Sequence, residues 1–330
     1  MRNRTLSISL FWVLAAFGYG LRAFAQAPQL ADKYAEVNGV RLHYASAGAG
    51  KLIVFLHGFP EFWYQWKPQL AEFGKDFQAV APDMRGYNLS SKPAGVEHYR
   101  VKDVVEDIRA LAAQLGHKKF ILVGQDWGGA IAWAFALYHR ECVEKLVILN
   151  APHPALFDRE LRENPAQQLA SRYMLGVYDP GLAQAYAADG YAALVKTVLA
   201  EGLGNGRFNS DDRKAYIDAW SQPGALESEL NYYRAANLGP PDAKHGRAAN
   251  GNYTPDLAST VVNVPTLLIW GMKDPYLLAG NLSGLDQFVP DLRVKLFADA
   301  SHWVNREKAA EVNAAIRDFI APPQHQQATR

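Results

Sequence analysis

The chain has 330 residues, 49% of them hydrophobic, which suffices for one large domain with an insertion and excludes an intrinsically disordered protein. Its 34 basic and 33 acidic residues nearly cancel, so it lacks the cationic surplus that nucleic acid or an anionic membrane would favour, and a neutral small molecule is the simpler partner. The lone Cys142 excludes an intramolecular disulfide and, lying between a helical pattern and an apolar strand, reads as structural.

Residues 1–25 combine Arg2 and Arg4, an apolar stretch from about Leu6 to Leu21, and small residues at Ala23 and Ala25. This is the pattern of a secretory signal peptide cut after Ala25. It implies an exported protein, periplasmic or secreted, with no stable membrane association after cleavage. The apolar run is short for a membrane span, and Arg22 interrupts its end.

From residue 34, YAEVNGVRLHYASAG reads as two strands joined by Asn38-Gly39, a dipeptide that accepts positive φ in a tight hairpin. LIVFLHG (52–58), FQAVAPD (77–83), FILVGQD (120–126), LVILNAP (146–152), TLLIWG (266–271) and VKLF (294–297) are continuous aliphatic runs. That is the composition of strands buried on both faces of a parallel sheet. Helical spacing recurs over 101–115, 130–138 and 307–320. The alternation predicts an α/β fold with a mostly parallel, doubly wound sheet. It lapses over 153–260, where helical patterns occupy 181–200 and 211–221. The predicted organisation is a core of 26–152 and 261–322, a helical cap over 153–260 and a C-terminal tail over 323–330.

Chemistry concentrates on GQDWGG (124–129). An apolar strand, a turn bounded by Gly124, Gly128 and Gly129, and a helix make a nucleophile elbow, with Asp126 raised over the sheet edge where serine is more usual. In such sheets an acid and then a histidine follow in chain order. LLIWGMKDPY offers Asp274 and LFADASHWVN offers His302, each just beyond a strand. The HGFPEFW loop (57–63) and the residue after the nucleophile are positioned to give an oxyanion hole from the backbone N–H groups of Phe59 and Trp127. His57 reads as structural. Phe62, Trp63, Tyr64, Trp66, Trp133 and His153 lie near these motifs, as pocket wall or as core.

HGFPEFWYQW, APDMRGYNLSSKP, GQDWGGAIAW, SQPGALESELNYYRA and DASHWVNRE together resemble the epoxide hydrolases of the α/β-hydrolase fold, with haloalkane and haloacetate dehalogenases as close cousins. The resemblance spans nearly everything after residue 25. It implies two cap tyrosines that donate to the epoxide oxygen, and by motif these are Tyr173 and Tyr233, with Tyr178 and Tyr232 as packing residues. Haloalkane dehalogenases pair a tryptophan after the nucleophile with an asparagine in the HG-x-P loop. Trp127 matches the first, but Phe59 stands in place of the second. Haloacetate dehalogenases commonly carry arginine where this chain has Trp127.

The residues themselves say why aspartate matters. A carboxylate needs no deprotonation at neutral pH, and its useful reaction is displacement at saturated carbon to leave an alkyl ester. Epoxides and alkyl halides fit; ordinary esters and amides do not. The expectation is hydrolysis of an apolar epoxide to a vicinal diol through an Asp126 ester, resolved by water that His302 activates under orientation by Asp274. The alternative is a dehalogenase using the same three residues. No H-E-x-x-H, cysteine pair, G-x-G-x-x-G or Walker loop occurs, so no metal or other cofactor is expected.

Overall fold

The computed structural model describes residues 29–242 and 260–322. The expected signal peptide, the tail over 323–330 and the stretch 243–259 of the expected cap lie outside these residues. The described strands are β1 (Ala31–Val37), β2 (Val40–Ala47), β3 (Leu52–Leu56), β4 (Gln78–Pro82), β5 (Phe120–Gln125), β6 (Val143–Leu149), β7 (Thr266–Gly271) and β8 (Leu292–Phe297). They form one sheet in the order β1-β2-β4-β3-β5-β6-β7-β8. The β1–β2 and β2–β4 pairs are antiparallel and every other pair is parallel. Asn38 (φ 46°) and Gly39 (φ 77°) make the hairpin turn at positive φ.

Helices α1 (Lys67–Phe73), α2 (Val101–Gln114) and α3 (Trp127–Tyr138) connect the first strands. Between β6 and β7 the chain makes α4 (Pro154–Glu163), α5 (Pro165–Ala170), α6 (Tyr173–Gly176), α7 (Leu182–Leu194), α8 (Ala200–Gly204), α9 (Ser210–Trp220) and α10 (Ala225–Ala235). After β8 come α11 (Val304–Glu307) and α12 (Ala309–Ile320). Pro154 and Pro165 open α4 and α5, where a missing N–H costs no helical bond, and the Asn164 side chain caps α5.

Strand periodicity divides the core in two. Leu52, Val54 and Leu56 of β3, Phe120 and Leu122 of β5, and Leu146 and Ile148 of β6 face α2, α3 and the inserted helices. The alternate residues Ile53, Phe55, Ile121, Val123, Val147 and Leu149 face the side covered by Leu70 and Phe73 of α1 and Val312 and Ile316 of α12. Each fully buried aliphatic side chain contributes roughly 1.5–3 kcal/mol.

Two expectations change. β8 is an edge strand rather than one buried on both faces: among the described strands it pairs only with β7, and Val294 and Leu296 are 51% and 47% exposed. Its aliphatic composition matches the interior strands, and only its place in the sheet order separates it from them. The helical pattern over 181–200 is also broken. Asp189, Gly190 and Tyr191 take positive φ inside α7, and a π-helical turn follows over Val195–Leu199. Asp and Gly tolerate the left-handed region, which lets the chain turn there despite apolar spacing suited to one helix.

The two kinds of strand position differ measurably. Leu122→Ala should cost about 2–5 kcal/mol, whereas Val294→Ala should stay within about 0.5 kcal/mol. Urea unfolding midpoints read both.

Candidate active site

β5 ends at Gln125 and α3 begins at Trp127, so the whole change of direction falls on Asp126, whose backbone sits at φ 51° and ψ −122°. A non-glycine residue in such a conformation costs of order 1–3 kcal/mol, which the packed strand and helix must hold in place. A side chain on Gly128 would overlap the Leu56 carbonyl, so the helix can approach β3 closely only because that residue is glycine. Gly58 is constrained from the other side: a Cβ there would overlap the Asp126 side chain. That close approach lets the Phe59 N–H donate to Asp126 Oδ1 at 2.8 Å.

Asp274 lies beyond β7, 5% exposed. Its Oδ1 accepts the N–H groups of Tyr276 (2.8 Å) and Leu277 (3.0 Å). Its Oδ2 accepts Asn150 Nδ2 (2.8 Å) and stands 2.7 Å from His302 Nδ1. A carboxylate only accepts, so the His302 proton facing it is on Nδ1, and Nε2 is turned toward Asp126 Oδ2 at 3.5 Å. Burial lowers the His302 pKa, but the charge of Asp274 and the hydrogen bond and charge of Asp126 outweigh it and push it up to about 10. Both carboxylates therefore favour the protonated form of the imidazole.

Tyr173 on α6 and Tyr233 on α10 reach the same place from the inserted helices. Both border a cavity of about 180 Å³ together with Asp126 and His302, and its other walls include Phe59, Tyr186, Leu194, Tyr276 and Trp303. A smaller space of about 30 Å³, walled by Trp127, Phe157, Met174, Leu238 and Leu277, also touches Asp126, Tyr173 and Tyr233. The Tyr173 and Tyr233 rings meet edge to face with centroids 6.3 Å apart, and Trp127 packs edge to face on Tyr233 at 5.0 Å. Burial, then the Asp126 charge for Tyr173 and the Tyr173 neighbour for Tyr233, hold both phenols well above their usual range. They remain protonated donors at any ordinary pH.

The residues singled out from sequence thus fall into two groups. Asp126, Asp274, His302, Tyr173, Tyr233, Phe59 and Trp127 converge on the two connected spaces. Tyr178 and Tyr232 point elsewhere: the Tyr178 hydroxyl donates to the Leu238 carbonyl (3.1 Å) and that of Tyr232 to the Arg85 carbonyl (2.8 Å). Phe62, Trp63, Tyr64, Trp66, Trp133 and His153 border neither space. His57, fully buried, uses Nε2 to accept the Met84 N–H at 3.0 Å.

Sequence reasoning passed over four contributors. Asn150, at φ 38° just past β6, donates to Asp274 and also accepts the Gly271 N–H at 2.8 Å, tying the ends of β6 and β7 together. A polar residue closing an apolar strand was its only signal. Tyr276 and Trp303 adjoin the acid and the base in sequence, which could have marked them, whereas nothing local marks Tyr186.

An elbow after β5, an acid after β7 and a histidine after β8 on a mostly parallel sheet define an α/β hydrolase, and a family model for the alpha/beta hydrolase fold matches residues 51–309. Epoxide hydrolase 3 of Xenopus tropicalis is 34% identical over 93% of this chain and 84% of its own. Epoxide hydrolase 4 of Homo sapiens is 34% identical over 86% and 76%. A variant of a Bacillus megaterium epoxide hydrolase, crystallised with its naphthyloxy-propane-1,2-diol product, is 41% identical with a TM-score of 0.81, covering 87% of this chain and 99% of that one. The chain belongs to the epoxide hydrolases of the α/β-hydrolase fold.

The imidazolium ties stability to pH. An unfolded histidine titrates near 6.5 and His302 near 10, so between those values the folded chain holds the extra proton. Its stabilisation is complete below pH 6.5 and is lost as pH rises to 10. The melting-temperature advantage over His302→Gln should therefore shrink across this interval at fixed ionic strength. A gap that stays constant would show that no such proton is held.

Proposed function

We propose that this protein hydrolyses apolar epoxides to vicinal diols through a covalent ester on Asp126. The observation that carries the reading is the opposition of a carboxylate and two protonated phenols across one largely apolar cavity. A nucleophile on one side and paired proton donors on the other is what opening a strained C–O bond requires.

Asp126 Oδ1 is held by the Phe59 N–H, so Oδ2 is the oxygen free to attack the epoxide carbon. As the C–O bond breaks, the departing oxygen takes a proton from the tyrosine pair. The imidazolium of His302 makes good that proton, and its own pKa falls because the ester no longer carries the Asp126 charge that helped raise it. His302 is then neutral when a base is first needed. It removes a proton from water, the hydroxide adds to the Asp126 carboxyl carbon, and the oxyanion forms on Oδ1 beside the Phe59 N–H. Collapse expels the diol and restores both carboxylate and imidazolium. The sum is one epoxide and one water in, one diol out, with no net proton.

Halide displacement uses the same nucleophile and is the second reading. It would call on the Trp127 indole to hold the halide, and Phe59 stands in the loop position where an asparagine would share that task. Export is part of the proposal, supported by the charged start, apolar stretch and small residues of 1–25. A mature form beginning at Gln26 on N-terminal sequencing would bear it out.

With a styrene-type epoxide, His302→Gln should trap the ester, seen as substrate mass added to the intact protein and mapping to Asp126. Halide released from a haloalkane, with no diol from any epoxide, would replace the proposal with the dehalogenase. Tyr173→Phe and Tyr233→Phe should each slow ring opening by about 10²-fold while leaving hydrolysis of preformed ester much faster than its formation. Stopped-flow and quenched-flow traces separate the two steps, and an unchanged ring-opening rate in both variants would remove the tyrosines from the mechanism.

A further inference from the structure

Where α1 and the residues just before it pack on α11, several buried polar atoms lack protein partners among the described residues. Gln65, Gln69 and Asn305 are at most 1% exposed, yet Gln65 Oε1, Gln69 Oε1 and Asn305 Oδ1 receive no hydrogen bond among the described residues. Their amide nitrogens are engaged: Asn305 Nδ2 donates to the Gln65 carbonyl (3.3 Å), and Gln69 Nε2 to the Asn305 carbonyl (3.1 Å). Arg306 Nε is a buried donor with no acceptor, although its two terminal nitrogens hold Tyr216, Glu61 and the Val198 carbonyl. Three orphan acceptors and an orphan donor, held within one seam, call for a small ligand that both donates and accepts. Water meets that need, and an unsatisfied buried polar group otherwise costs about 1–3 kcal/mol.

The seam has two ends. At the outer end, Gln65 and Arg306 border a cavity of about 170 Å³ between the core and the inserted helices. Its wall includes Lys67, whose side chain is 46% exposed. At the inner end, Gln65 Nε2 lies 3.5 Å from Gln125 Oε1, and Gln125 Nε2 lies 3.0 Å from His302 Nε2 and 3.2 Å from the His302 carbonyl. Gln125 therefore touches the nitrogen that must accept the proton of water.

We propose that the hydrolytic water reaches His302 through this seam, from the outer cavity past Gln65 to Gln125, and not through the substrate cavity. The inference rests on the ester mechanism above and explains how its second half proceeds. Once the alkyl ester forms, the substrate's own carbon skeleton occupies the apolar cavity in front of Asp126, and water arriving from that side must pass it. A rear supply keeps the base hydrated while the front is filled. Gln65 and Gln125 are positioning residues in this account: they act on the water and the imidazole and touch no substrate atom.

The test is the split between the two half-reactions. Gln65→Leu closes the seam with a side chain of similar volume and should slow ester hydrolysis by at least 10-fold while ring opening keeps its rate, so that the Asp126 ester accumulates in the steady state. Gln65→Asn retains an amide that an added water can extend and should recover most of the loss. A seam that matters only for packing predicts either equal slowing of both steps or none, and each result overturns the proposal. If Gln65→Leu does not fold, a high-resolution crystal structure of the parent decides. Ordered water within hydrogen-bonding distance of Gln65 Oε1 and Asn305 Oδ1 supports the route, and a dry seam refutes it. Failure of the parent to form any ester or diol from a styrene-type epoxide would instead count against the ester mechanism.

Discussion

The site depends on one electrostatic arrangement: the buried His302 imidazole held between a buried carboxylate and a partly buried one, 2.7 Å from Asp274 and 3.5 Å from Asp126. Charges this deeply buried are destabilising unless each is matched and hydrogen-bonded. Asp274 accepts from two backbone N–H groups, Asn150 and His302, which saturates it. Asp126 accepts the Phe59 N–H on Oδ1 and has the more distant imidazole beside Oδ2. In the proposed mechanism the better-served carboxylate orients, and the other stays available to react. The asymmetry in hydrogen bonding thus assigns different work to two chemically identical groups.

The sheet exists, functionally, to deliver these groups to one edge. Parallel strands end on the same side, so the loops after β3, β5, β7 and β8 supply Phe59, Asp126, Asp274 and His302 within one span. In the proposed mechanism the leaving oxygen is met by groups from outside that set. The phenols come instead from the helices between β6 and β7, where burial keeps them protonated. Core and insertion divide the nucleophile and base from the acid, and the cavity is the space where they meet.

How much of this was legible follows from the range of each interaction. The strands and the elbow are local: apolar runs, Asn38-Gly39 and the glycines about Asp126 announce them in a few residues each. The acid and the histidine are legible through order, since the turn after a given strand is fixed by topology. What local pattern misses is position relative to distant neighbours. VKLF looks like an interior strand, yet among the described strands β8 has no partner beyond β7. Asn150 bridges to Asp274 across 124 positions, and Tyr186 meets Phe59 only because the insertion folds over the sheet. The motif that located Tyr173 and Tyr233 did so by resemblance, because 16 tyrosines in the chain offer no internal reason to choose them.

The charge cycle gives a physical reason for the strained elbow. A carboxylate saturated with hydrogen bonds, as Asp274 is, is a poor nucleophile. Asp126 at φ 51° is pinned above the sheet edge with one N–H on one oxygen, and the other oxygen is left to the imidazolium and the cavity. That oxygen carries charge the surroundings only partly neutralise, and alkylation removes the charge altogether. In the proposed mechanism the alkylation of Asp126 also withdraws its support for the proton on His302, so that ester formation would itself turn the imidazole into a base.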